Sequence, residues 1–216
     1  MNPTICFSIC GLFYCLLLIT ILFSKNKKND DAYKILRGLA IINLCNLFLE
    51  AAGLFLAGSY EKYKLLNDIF LRGMLVVYIC WFTFFAKYIV KLSKGKKDIT
   101  KNGNNAFYIM MIVAAALTIF LPMKYVTNDA GIIIYSTGPA VTLVFYYIMF
   151  STIIGLVAMF SNYKSVKISN YSSLFILIVL LAITAVVQNY NPSILLTAFI
   201  ETFVLYVAYM SIEKNN

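Results

Sequence analysis

Ala106-Phe-Tyr-Ile-Met-Met-Ile-Val-Ala-Ala-Ala-Leu-Thr-Ile-Phe-Leu121 decides the class of this protein: the stretch has no charged residue, and Tyr108 and Thr118 are its only polar side chains. A hydrocarbon core of about 30 Å needs about 20 helical residues at about 1.5 Å each. The surrounding segment, 105–122, reads as one membrane helix. Six more segments have the same character, at 4–23, 35–58, 67–91, 138–160, 172–189 and 193–212. Composition agrees. The 216 residues are 62% hydrophobic and 12% charged, with mean hydropathy +0.83; soluble domains carry about 25% charged residues. The fold class read from these numbers is an all-α integral membrane protein, a single seven-helix domain over 1–216.

The segment at 4–23 reads as a membrane helix and not as a signal peptide. It lacks a basic leading region and a small-residue cleavage site, and Lys25, Lys27 and Lys28 follow it. The sixth and seventh segments are divided by Asn189-Tyr-Asn-Pro192, a turn whose proline suits the start of a helix.

Net charge is +9, from 18 Lys+Arg against 9 Asp+Glu. In a chain this apolar, the excess is topogenic and implies no nucleic-acid partner; membrane lipids are the surrounding partners. The odd-numbered loops and the tail hold Lys25, Lys27, Lys28, Lys34, Arg37, Lys87, Lys91, Lys94, Lys96, Lys97, Lys101, Lys164, Lys167 and Lys214. The even-numbered loops hold Lys62, Lys64, Arg72 and Lys124. The heavier side is cytoplasmic, so the expected topology has the N-terminus outside and the C-terminus inside a cell membrane. Between Met123 and Gly138 the expected outer loop places β-branched and aromatic runs on both sides of Asn128-Asp-Ala-Gly131. That pattern reads as a short external β-hairpin over the bundle, or as an irregular loop.

Polar groups at bilayer depth carry the functional reading, because an ionisable side chain there costs about 2.5–3.5 kcal/mol on insertion scales. Asn43, Asn46 and Glu50 lie at i, i+3 and i+7 on one face of the second helix, continued by Gly53 and Ala57. Glu201 shares a face of the seventh helix with Ser193, Thr197, Ala208 and Ser211. Both carboxyl groups sit some 12 Å below the outer end, at about 1.5 Å per residue. Arg72 enters the third helix slightly shallower and is the expected counter-ion; Gln188 and Asn189 end the sixth helix on the same side. Glu50, Asn46, Asn43, Arg72, Gln188, Asn189, Thr197 and Glu201 therefore form either an outward-facing ligand site or an intramembrane polar network that holds helices together. Lys87 lies near the cytoplasmic end of its helix and can snorkel. Tyr78, Trp81 and Tyr88 line a cavity or pack the core. Gly53-xxx-Ala57 and Ser151-xxx-Gly155 permit close helix contact.

Catalysis finds little support. There is no histidine, no phosphate-cradling glycine loop and no metal-ligand set, so no metal site or cofactor is expected. Cys6, Cys10, Cys15, Cys45 and Cys80 all lie in apolar runs and read as free thiols.

Three stretches carry a family resemblance. They are Phe23-Ser-Lys-Asn-Lys-Lys28 leading to Leu36-Arg-Gly-Leu-Ala-Ile-Ile-Asn-Leu-Cys-Asn-Leu-Phe-Leu-Glu50; Val76-Val-Tyr-Ile-Cys-Trp-Phe-Thr-Phe-Phe-Ala-Lys-Tyr-Ile-Val-Lys-Leu-Ser93; and Ile134-Tyr-Ser-Thr-Gly-Pro-Ala-Val141, joined later by Asn191-Pro-Ser-Ile-Leu-Leu-Thr-Ala-Phe-Ile-Glu-Thr202 and Met210-Ser-Ile-Glu213. In this order they resemble the N-terminal multi-helix membrane sensor region of Firmicute-type histidine kinases and related diguanylate cyclases. The resemblance implies two-component-type signal transduction: a receptor for an extracellular or membrane-borne signal, transmitted through the last helix to a cytoplasmic kinase or cyclase module, fused or in trans. It also implies a homodimer. In that family the last helix typically ends Ile-Glu-Asn-Pro-Asp; here the chain ends Ile212-Glu-Lys-Asn-Asn216, so the module is expected in a longer form or on a partner chain. A small-molecule transporter and a structural membrane subunit are the alternatives. Seven crossings allow a three-plus-one-plus-three repeat, but the third and seventh helices share no polar pattern.

Overall fold

The structure, a computed structural model, describes residues 3–25, 31–57, 62–94, 100–127, 133–161, 171–191 and 195–215. Seven α-helices and one strand pair account for nearly all of them. The helices are α1 (Pro3–Ser24), α2 (Asp31–Ala57), α3 (Lys64–Lys94), α4 (Lys101–Phe120), α5 (Pro139–Ser161), α6 (Ser172–Tyr190) and α7 (Thr197–Asn215). The strands are β1 (Lys124–Thr127) and β2 (Ile133–Thr137). Each expected apolar segment coincides with one helix. α4 starts earlier than hydropathy indicates, because the Thr100 side chain accepts from Gly103 N and caps a polar first turn.

Five helices, α1 to α5, are long and apolar enough to cross a membrane, and α6 holds a shorter apolar stretch, Leu174–Thr184. The outward faces are hydrocarbon as well. Phe13, Phe55 and Phe120 are 67%, 72% and 85% exposed, and Ile112, Phe150 and Phe175 are exposed as well. A water-soluble surface rarely leaves apolar patches of that extent. The molecule has the construction of a multi-pass membrane protein.

α3, of 31 residues, is the axis. It packs against α2, α4 and α5. Half of its apolar window is buried, against 17% for α4. Its wide aromatic face explains this. Trp81, Phe82, Phe85 and Tyr88 are buried together, with Trp81 stacked on Phe85 at 5.0 Å between ring centroids. Tyr88 donates from its hydroxyl to Ala208 O on α7 at 3.4 Å. Trp81 and Tyr88 are therefore core residues. α7 lies against α1, α2 and α6. Gly11 allows the close approach of α1 and α2: a Cβ there would stand 2.7 Å from Leu47 Cδ2.

β1 and β2 pair antiparallel, from Lys124 with Thr137 to Thr127 with Ile133, and the register slips between Val126 and Thr127. The residues that join them lie outside the described ones. The Tyr125 hydroxyl donates to Asp68 Oδ1 on α3, which ties the hairpin to the bundle. Gly138, at φ 111°, turns β2 into α5, a backbone conformation that needs glycine. At the opposite end of the bundle, Lys25 pairs with Glu213 at 2.6 Å and Lys91 with Asp31 at 3.5 Å. Lys87 donates to the Tyr108 hydroxyl at 3.1 Å and lies over that ring.

Candidate functional site: a buried carboxyl cluster beneath the hairpin

The polar stripe of α2 faces protein, as its small and polar composition requires. Asn43, Asn46 and Glu50 are at most 2% exposed, and so are Glu201 and Thr202 on α7. In the amide orientation that satisfies both of its polar atoms, Asn43 donates to Glu201 Oε2 at 2.8 Å and accepts from Thr202 Oγ1 at 2.9 Å. Asn46 Nδ2 donates to the same Glu201 oxygen at 3.2 Å. Ser8 Oγ on α1 donates to Glu50 Oε1 at 2.6 Å. Three helices thus meet through side-chain hydrogen bonds in the half of the bundle nearest the hairpin.

The cluster is only partly satisfied. Glu50 Oε2, Glu201 Oε1 and Asn46 Oδ1 are buried without a hydrogen-bond partner. Glu50 and Glu201 lie close enough to feel each other's charge. The Tyr78 side chain of α3 interacts with Glu50, Asn46 and Thr197. Buried polar atoms are nearly always paired, so three orphans in one cluster need an explanation.

A cavity of about 310 Å³ supplies one for Glu50. Glu50, Tyr78 and Thr197 line it, and Ile133, Tyr135 and Ser136 of the hairpin close over it. Gly53 lies on its wall, with no atom within 4 Å of where a Cβ would stand. Among the described residues Gly53 therefore opens space and makes no close helix contact, contrary to the small-residue reading at that position; the Ala57 side chain lies outside the described ones. Gly155 does receive a neighbouring helix: Leu174 of α6 packs against it.

Arg72 is not the counter-ion of these carboxyl groups. Its Nε binds Asp68 Oδ2 one turn earlier at 2.9 Å. Its Nη1 donates to the carbonyls of Thr118, Ile119 and Leu121 at 3.0, 2.9 and 2.8 Å. These carbonyls end α4 and have no helical partner of their own, so a cation there both fills them and complements the helix dipole. Arg72 is an anchor between α3 and α4. The side chains of Gln188 and Asn189 lie outside the described ones. The expected site thus comes together at Asn43, Asn46, Glu50, Thr197 and Glu201. Ser8 and Thr202 are additions that sequence reading missed, and Tyr78 takes the cavity-lining role.

Among the described side chains, no Lys or Arg lines the cavity. Chemically the arrangement offers two carboxyl groups, an amide and a phenol around one space. A comparison with protein-family models finds no match, and neither does a comparison with curated proteins.

Proposed function

We propose that this chain is a membrane-embedded sensory domain. In this reading seven helices cross the cell membrane, the N-terminus is outside and the C-terminus inside. The lysine-rich end of the bundle then faces the cytoplasm and the hairpin faces out. A signal from outside or from the membrane enters the cavity beneath the hairpin. It passes through α7 to a cytoplasmic histidine kinase or diguanylate cyclase module, fused or in trans, and the sensor works as a homodimer.

One observation carries the reading. The cavity-lining Glu50 and Thr197 both meet the Tyr78 side chain, which also meets Asn46, and Asn46 and Asn43 bind Glu201 of α7. Near its other end the same helix carries Glu213, which binds Lys25 and the Tyr33 hydroxyl. α7 therefore joins the cavity to the far end of the bundle in a single rigid element. A ligand that satisfies Glu50 in one placement of α7 better than in another shifts the balance between the two.

The test fuses α7 to a diguanylate cyclase. Glu50→Gln and Glu201→Gln, in variants that fold and insert as the parent does, change cyclase output. Unchanged output contradicts the reading. A small-molecule transporter is the second reading, since paired buried carboxyl groups also serve coupled transport. Uptake of labelled solute into vesicles separates it from reception.

A further inference from the structure

The cavity at Glu50 adjoins a second space. Leu75, Tyr78, Val141 and Thr197 line both the cavity and an apolar cleft of about 530 Å³ between α5 and α6. α5 and α6 touch where Leu174 meets Gly155. The cleft lies beyond that contact toward the hairpin, with Ile148 and Thr152 on the α5 side and Ile178 and Ala182 on the α6 side. Flanking it on the outer surface are Phe145, Met149 and Ile153 of α5 and Val179, Ile183 and Val186 of α6, all at least half exposed or close to it. In a bilayer these side chains meet acyl chains. The cleft is therefore a lateral slot, apolar but for the Thr152 and Thr184 hydroxyls, which bond their own helices, and it shares its inner wall with the cavity at Glu50.

Charge identifies the occupant. At the inner end stand Glu50, with Oε2 buried and unpartnered, and Glu201 behind it, with Oε1 in the same state. Among the described residues, no cationic side chain lines the cavity or the cleft, and Arg72 is held by Asp68 and the carbonyls that end α4. A neutral alcohol would supply one donor. An ammonium group supplies three donors and a positive charge that would hold Glu50 as its carboxylate, and a charge-assisted hydrogen bond is worth about twice a neutral one.

We propose that the site takes a single-chain amphiphilic amine from the bilayer, with the ammonium group at Glu50 and the alkyl chain in the cleft between α5 and α6. This deepens the sensory reading and rests on the cavity being a ligand site. It does not depend on any signalling output.

The experiment uses the full chain in phosphatidylcholine nanodiscs, with octylamine, octanol and octanoate as probes. Trp81, the only tryptophan, stands three residues after Tyr78 on α3 and reports binding by fluorescence. Octylamine is expected to bind saturably, and about ten-fold more tightly than octanol, a margin in keeping with one charge-assisted hydrogen bond. Octanoate is expected not to bind. Glu50→Gln is expected to remove the preference for octylamine over octanol. Ala182→Phe, which narrows the cleft away from the carboxyl groups, is expected to weaken both ligands and remains informative if Glu50→Gln does not fold. Equal affinity for octylamine and octanol, or octylamine binding that neither variant alters, overturns the ligand class. Such a result leaves the sensory reading to its cyclase test; conversely, octylamine binding with unmoved cyclase output removes the sensory reading and keeps the site.

Discussion

Ser8 on α1 donates to Glu50 Oε1 on α2 at 2.6 Å, and the other oxygen of that carboxyl group is left buried and unpartnered beside the cavity. One hydroxyl therefore orients the group on which the site depends. Ser8→Ala removes the hydrogen bond to Glu50 Oε1 and leaves that oxygen buried without it. The expected cost is about 1–3 kcal/mol of stability, seen as a lower melting temperature in detergent, with weaker ligand response. An unaltered melt would show that the bond contributes nothing.

Two glycines are expected to respond oppositely to alanine. At Gly53 an added Cβ meets nothing within 4 Å, so Gly53→Ala gains helix propensity, up to about 1 kcal/mol. At Gly11 the added Cβ stands 2.7 Å from Leu47 Cδ2, and that side chain must move in a packed seam. Gly11→Ala is expected to lower the melting temperature. Gly53→Leu is expected to fold and to occlude the cavity, abolishing ligand response. The same sign for both alanine variants would contradict the packing described.

Arg72 separates stability from sensing. Arg72→Ala strips three carbonyls at the end of α4 and the ion pair with Asp68. Loss of about 1–3 kcal/mol is expected, visible as earlier proteolysis or melting of α4. Octylamine affinity of the folded fraction is expected to hold, since Arg72 does not line the cavity. A selective loss of ligand affinity would return Arg72 to the site.

The opposite end of the bundle is expected to control output without controlling binding. Glu213 holds the Lys25 ammonium and the Tyr33 hydroxyl. That hydrogen bond raises the affinity of Lys25 for its proton above the ordinary lysine value. Its contribution is complete below the usual lysine range and is lost only as pH rises through the raised value. Lys25 therefore stays charged through neutral pH, and a pH response there does not come from Lys25. Glu213→Gln is expected to shift basal cyclase output of a chimera and to leave octylamine affinity unchanged.

Hydropathy located every helix, because each carries an apolar run that stands out from its polar flanks. The α2 stripe was equally legible: the i, i+3, i+7 spacing of Asn43, Asn46 and Glu50 puts them on one face, and that face is buried. Ser8 was not, since a single serine in an apolar helix has no pattern around it. Depth alone is a poor guide to the partners of Arg72. Asp68 lies four residues before it on the same helix, and the carbonyls that end α4 lie across from it; both offer partners that need no reach through the bundle. The hairpin followed from β-branched runs around a turn, whereas its role as the cover of a cavity depends on contacts between distant segments.

The central claim is that the carboxyl cluster reports to the cytoplasm through α7. The most direct measurement is cyclase output from membranes carrying the α7–cyclase chimera, comparing the parent with Glu50→Gln and Glu201→Gln at matched levels and melting temperatures. A shift of about 1.4 kcal/mol between two placements of α7 changes their ratio about ten-fold. The account predicts a several-fold change in output for both variants. Output identical to the parent in both would contradict it.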